Sequence, residues 1–189
     1  MKTLAINLSL KNVGLVVFEG PDPIFRDTIE LTHFSEKDHD KIDGFEDEVL
    51  YMVSRNIFLT EALVKIAKNF KVKSVVVSAS NFSKHVESAK QMSSIWLSIT
   101  PFFVDMSINL KIYHAQACKR IIHIGEGVGS KFVYQRAKSN AALRRSVLKT
   151  YDIKGWSDHE VNSAACFLYH IKTLNPHLAD LARKERGAD

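Results

Sequence analysis

Ala5-Ile6-Asn7-Leu8-Ser9-Leu10-Lys11-Asn12-Val13-Gly14 is the stretch from which the rest of the chain is read. Residues 3–9 are apolar enough for a buried strand, and Lys11-Asn12 supplies a polar turn. Residues 13–19 then return as a second strand, which predicts a hairpin. Gly20-Pro21-Asp22-Pro23 breaks the chain, and residues 24–31 supply a third strand, so the protein starts as a three-strand meander.

Downstream the period of the apolar residues changes. Between about residues 46 and 69, Leu50, Val53, Ile57, Leu63, Ile66 and Ala67 recur at helical spacing, predicting one long helix or two short ones. Residues 72–77 are a β-branched run of the kind found in a central strand buried on both faces. Residues 84–99 read as a helix and 110–113 as a short strand. Residues 125–130 read as a glycine-rich loop, 131–150 as a basic amphipathic helix, and Ser157 opens a last helix running to about residue 174. The expected architecture is α/β with a mixed central sheet, in one domain over residues 1–175 followed by a short charged tail, 176–189. The stripe Met92, Ile95, Trp96 and Ile99 reads first as core and second as a homodimer face.

With 46% hydrophobic and 25% charged residues in 189, the composition is that of a globular chain rather than a disordered one. No apolar run reaches the ~18 residues a membrane span needs. The apolar start is broken at Asn7 and Ser9, which argues against a signal peptide. Cys118 and Cys166 form no metal-ligand spacing and point to a reducing, cytoplasmic compartment. The net charge of +5 is unevenly spread. Residues 36–48 hold seven acidic side chains against Lys37 and Lys41, whereas residues 119–154 hold nine basic ones against Glu126 and Asp152. The acidic run reads as a solvated loop or a protein-docking surface. The basic run, with Lys119, Arg120, Lys131, Lys138, Arg144, Arg145 and Lys149, is the candidate nucleic-acid-binding face. Gly125, Gly127 and Gly129 lack the Gly-Lys-Ser/Thr ending of a Walker loop, because Ser130 precedes Lys131.

The order of elements and three local patterns resemble the RuvC-like branch of the ribonuclease H-fold nucleases, the Holliday-junction resolvases of bacteria and phages. The patterns are the hairpin quoted above, the run Val75-Val76-Val77-Ser78, and the helix start Ser157-Asp158-His159-Glu160-Val161-Asn162-Ser163-Ala164-Ala165. The resemblance spans nearly the whole chain. It implies four metal-ligand positions, carboxylates in that family with histidine sometimes at the third, which fall here on Asn7, Ser78, His159 and Asn162. The family's chemistry uses two divalent ions about 4 Å apart to activate water and stabilise the leaving oxygen. Magnesium prefers anionic oxygens, and none of the four mapped residues is acidic. His159 and Asn162 keep the three-residue spacing that puts them on one helix face.

Asp158 and Glu160 are the fallback acids. Ser157-x-x-Glu160 is, however, a capping box, and both acids suit the positive end of a helix dipole. Three separate replacements suggest natural degeneration, in a phage-encoded member. The expectation is a catalytically inactive RuvC-like pseudonuclease without a metal cofactor, which acts by binding branched or duplex DNA or by recruiting proteins through residues 36–48. Two alternatives stand beside it. One is a divergent, active resolvase using Mg2+ with Asp158, His159 and Glu160; the other is a purely structural interaction subunit.

Overall fold

The computed structural model describes residues 1–31, 47–79, 86–120, 143, 144, 147 and 150–174. The meander forms as β1 (Lys2–Leu8), β2 (Asn12–Glu19) and β3 (Asp22–Glu30), followed by α1 (Asp47–Asn69), β4 (Ser74–Ala79), α2 (Val86–Asp105), β5 (Asn109–His114), α3 (Ala115–Arg120) and α4 (Asp158–Leu174). The strands pair in the order β3-β2-β1-β4-β5. β1/β2 and β2/β3 are antiparallel, and β1/β4 and β4/β5 are parallel. The sheet is therefore mixed, as expected.

The expected break at 20–23 shrinks to a turn at Gly20-Pro21, with Gly20 at φ 59°. Pro23 sits inside β3 opposite Phe18. A proline is tolerated there because β3 is an edge strand with no further neighbour demanding its N–H. Residues 32–46, the glycine-rich loop, most of the basic helix and the tail after 174 lie outside the described residues.

Alternation divides each central strand between two cores. Leu4, Ile6 and Leu8, with Val13, Leu15, Val17, Val75 and Val77, pack under Leu59, Leu63 and Ala67 of α1 and Met92, Ile95, Ile99 and Phe103 of α2. Ala5, Val16, Phe18 and Val76 face the other way, onto Cys118 of α3, Val161, Ala164, Ala165, Cys166 and Phe167 of α4, and Leu143 and Val147. Each Val or Leu removed from water contributes about 1.5–3 kcal/mol, so a strand covered on both sides needs the unbroken apolar run the sequence has. The Met92/Ile95/Ile99 stripe is core, with Trp96 half-buried against it.

α1 and α2 end in the same way. Lys71 and Ser107 both adopt φ 54°. Val72 N–H reaches back to Ala67 C=O and Lys71 N–H to Lys68 C=O; Ile108 N–H reaches Phe103 C=O and Ser107 N–H reaches Val104 C=O. Each is a Schellman motif with a buried apolar residue after it. Neither carries the glycine that would announce it. β4 accordingly starts two residues later than expected, and α2 runs past the expected Ile99 despite Pro101. The carbonyl that Pro101 leaves without its helical donor belongs to Leu97, on the solvent side at 76% exposure, where water can serve it.

α4 is fixed against the meander by several contacts. A Cβ at position 14 would run into the backbone of His159, so glycine alone permits this approach. The Ser163 hydroxyl donates to the Gly14 carbonyl at 2.8 Å. Phe18 stacks on Phe167 with centroids 3.8 Å apart. At the helix start, Ser157 N–H donates to the Glu160 carboxylate at 2.6 Å and Glu160 N–H to Ser157 Oγ at 3.1 Å, the reciprocal capping box. Arg26 of β3 adds to this cap. Its Nη1 donates to both Glu160 oxygens at 3.1 and 3.3 Å and to the Gly155 carbonyl at 3.2 Å, and its guanidinium lies over the Trp156 ring. Farther along α4, His170 Nδ1 is hydrogen-bonded to the Tyr113 hydroxyl at 2.8 Å.

Three outcomes are expected. Ser107→Gly and Lys71→Gly should each stabilise by about 0.5–1 kcal/mol, since a left-handed L-residue costs roughly 1–2 kcal/mol and glycine gives part of that back as chain entropy; urea midpoints at unchanged m-value check this. Arg26→Met leaves Glu160, 6% exposed, without its cation, while Arg26 itself is 42% exposed. The loss should fall between the values for surface and buried pairs, about 1–2 kcal/mol. Burial, and secondarily the charge of Lys111, hold the His170 imidazole below its ordinary 6.5. The unfolded chain therefore takes up that proton first as pH falls. Stability contributed by neutral His170 is complete above 6.5 and is lost as pH drops towards the lower folded value, at no more than about 1.4 kcal/mol per pH unit. In His170→Gln this part of the pH profile should flatten.

Candidate functional site

The parallel pairing of β1 with β4 sets Asn7 directly beside Ser78. Both lie on the α4 face of the sheet, in alternation with Ala5 and Val76. The capping box and the close approach at Gly14 then bring the first turn of α4 over them. Asn7 Nδ2 lies 3.4 Å from His159 Nδ1, so Asn7, Ser78 and His159 converge at one end of the sheet. Asn162 stands one turn farther along α4, with its Nδ2 donating to the Asp158 carbonyl at 2.8 Å.

None of these groups carries a carboxylate, and Asn7 Nδ2, His159 Nδ1 and Asn162 Nδ2 are each engaged within the protein. Ser78 is buried, and its hydroxyl bonds the Cys118 sulfur. Cys118 also accepts a hydrogen bond from Cys166. That bond, with the one from Ser78, holds the Cys118 thiol below its ordinary value despite burial, while donating the bond pushes Cys166 well up.

The fallback acids are engaged as well. Glu160 is buried in the capping box and paired with Arg26. Asp158 accepts from Arg144 Nη2 at 2.8 Å, and the same Nη2 donates to the Trp156 carbonyl at 2.7 Å. Arg144, expected on the nucleic-acid-binding stripe, therefore closes the start of α4. Lys119 and Arg120 end α3; Lys131, Lys138, Arg145 and Lys149, with the acidic run 36–46, lie outside the described residues.

Among the described residues no three His, Cys, Asp or Glu side chains come together in a metal-binding group. The donors at the four mapped positions are an amide, a buried hydroxyl, an imidazole and a second amide. That set does not fit a pair of magnesium ions, which would need opposing negative charge to leave their hydration shells. The arrangement can donate and accept neutral hydrogen bonds at the end of the sheet. The sequence reading missed Arg26, although the alternation that faces it to α4 with Thr28 was available: Thr28 Oγ1 lies 2.7 Å from Ser157 Oγ.

No family model matches the chain, and no curated protein matches it by sequence. Solved structures do match. Thermus thermophilus RuvC in complex with Holliday junction substrate superposes with a TM-score of 0.64 at 13% identity, covering 93% of this chain and 96% of that one. A second Thermus thermophilus RuvC structure gives 0.64 at 14% identity, covering 94% and 97%. At such identities the similarity speaks for architecture alone: the chain has the RuvC, ribonuclease H-like fold.

Proposed function

We propose that this chain is a RuvC-fold protein that binds branched or duplex DNA through phosphate contacts and does not cut it. The chief support is the chemistry of the four mapped positions, Asn7, Ser78, His159 and Asn162, together with the arginine pairing of both neighbouring acids. Two-metal hydrolysis depends on anionic oxygens that hold the ions in place. Binding has no such requirement. It needs cations set against the phosphate backbone, and residues 119–154 carry nine basic side chains against two acidic ones. A RuvC structure of the same architecture holds Holliday junction substrate. Lys119, Arg120, Lys131, Lys138, Arg145 and Lys149 are assigned to phosphate contacts, and Arg144 to supporting the start of α4.

Gel shifts on a four-way junction and a linear duplex across a salt series, run alongside a cleavage assay with magnesium or manganese, test this reading. The expected result is binding at low salt that weakens linearly in log[salt], with no cleavage. Lys149→Ala should lower that slope by about 0.9 for a lost phosphate contact. Metal-dependent cutting abolished by Asp158→Ala would overturn the reading in favour of an active resolvase. Absence of binding to either DNA at low salt would remove DNA as the partner and turn attention to the acidic run 36–48 as a protein-docking surface.

A further inference from the structure

Arg55 is a charged residue in a core position. It lies four, eight and twelve residues before Leu59, Leu63 and Ala67, the residues with which α1 packs on the sheet. It is only 2% exposed. Its guanidinium sits 5.8 Å from the centre of the Tyr51 ring, and among the described residues Nε and Nη2 have no hydrogen-bond partner. The next residue has the complementary vacancy. Asn56 Nδ2 donates to Ser94 Oγ at 3.0 Å, leaving Oδ1 buried and unpartnered. Thr60 offers nothing to either, because its hydroxyl is spent on the Asn56 carbonyl at 2.7 Å.

This cluster is separate from the cleft of Asn7 and Ser78. The Tyr51 hydroxyl donates to the Leu31 carbonyl at 3.1 Å, which sets this turn of α1 beside the end of β3. β3 and β1 run the same way through β2, so that is also the end where β1 finishes. The faces differ, however. Leu4, Ile6 and Leu8 point to α1, whereas Ala5 points to α4 and Asn7 follows it by two residues.

The identity of the orphaned atoms indicates what they would take. Nε–H and Nη2–H are the two donors on one edge of the guanidinium, parallel and spaced to meet two oxygens of a single carboxylate or phosphate. Water can satisfy two donors but cannot neutralise the charge. A guanidinium stays protonated in proteins, and an unpaired buried cation is among the least favourable arrangements a fold can hold. Burial does pull Arg55 below its ordinary value, with the charge of an ionised Tyr51 opposing it. We propose that Arg55, with Asn56 beside it, forms a small oxyanion-binding site between α1 and the sheet, the anion bridging Nε–H and Nη2–H. Phosphate suits it well: its oxygens meet the fork, and its hydroxyl in the monohydrogen form can donate to Asn56 Oδ1.

The test uses the full chain and inorganic phosphate. Thermal unfolding is followed while phosphate replaces chloride at constant ionic strength, with 31P line broadening recorded in parallel. A saturable rise in melting temperature and a broadened phosphate resonance are expected. Both should weaken by about tenfold or more in concentration in Arg55→Lys, which keeps the charge and loses the two-pronged edge. Arg55→Met should abolish them; if that variant does not fold, the lysine variant and the native titration still decide. A melting temperature indifferent to phosphate, or a phosphate effect that Arg55→Lys retains in full, overturns the site. The second result would assign the effect to the basic surface instead.

Discussion

The approach of α4 to β2 at Gly14 governs the rest of the architecture. The His159 backbone lies where a side chain at position 14 would begin, so the helix start is pressed onto the hairpin instead of resting on a layer of side chains. Ser163 then reaches the Gly14 carbonyl, Phe167 stacks flat on Phe18, and Trp156 comes under Arg26. These contacts depend on one another because all come from a rigid helix meeting a rigid sheet. A shift of a few tenths of an ångström at Gly14 would be felt at Phe167, two turns away, since packed interiors transmit displacement rather than absorb it.

The same seating has an electrostatic consequence. Asn7 and Ser78 are neighbours across a parallel pair of strands, and strands in a sheet stand about 4.8 Å apart. Two carboxylates at that distance under a helix would repel unless cations lay between them. An amide and a hydroxyl create no such demand. They can be packed and hydrogen-bonded to His159 and Cys118, as they are here. These side chains thus allow the elements to close without an ion between them.

What the sequence disclosed was what local physics determines. The hairpin announced itself by its apolar runs and polar turn, the central strands by β-branched residues, and the start of α4 by Ser157 and Glu160 three apart. The helix ends at Lys71 and Ser107 stayed hidden because their left-handed residues are not glycine; the motif is fixed by the burial of Val72 and Ile108, a tertiary fact. The continuation of α2 through Pro101 stayed hidden as well, since the tolerance of a proline there depends on which side of the helix faces water. Arg26 carried no signal of its own and Arg144 read as part of a nucleic-acid-binding stripe, until the fold placed Glu160 and Asp158 against them. Arg55 lay on a helix stripe otherwise apolar, and a stripe alone cannot say whether a long cation escapes to solvent.

Those arginine pairings also set how the cleft meets a phosphate. In a metal-dependent nuclease the bare carboxylates repel the phosphodiester, and the ions both reverse that repulsion and do the chemistry. Here the two acids at the start of α4 are each matched by a guanidinium, and the remaining mapped groups are amide, hydroxyl and imidazole. Such a surface presents little negative potential to an approaching phosphate even without an ion. Any cations nearby therefore act on the backbone unopposed, and their effect extends roughly a Debye length, about 8 Å at physiological salt. A site without free carboxylates therefore places no uncompensated repulsion of its own against a phosphate, whereas a two-metal site must first recruit its ions to remove one.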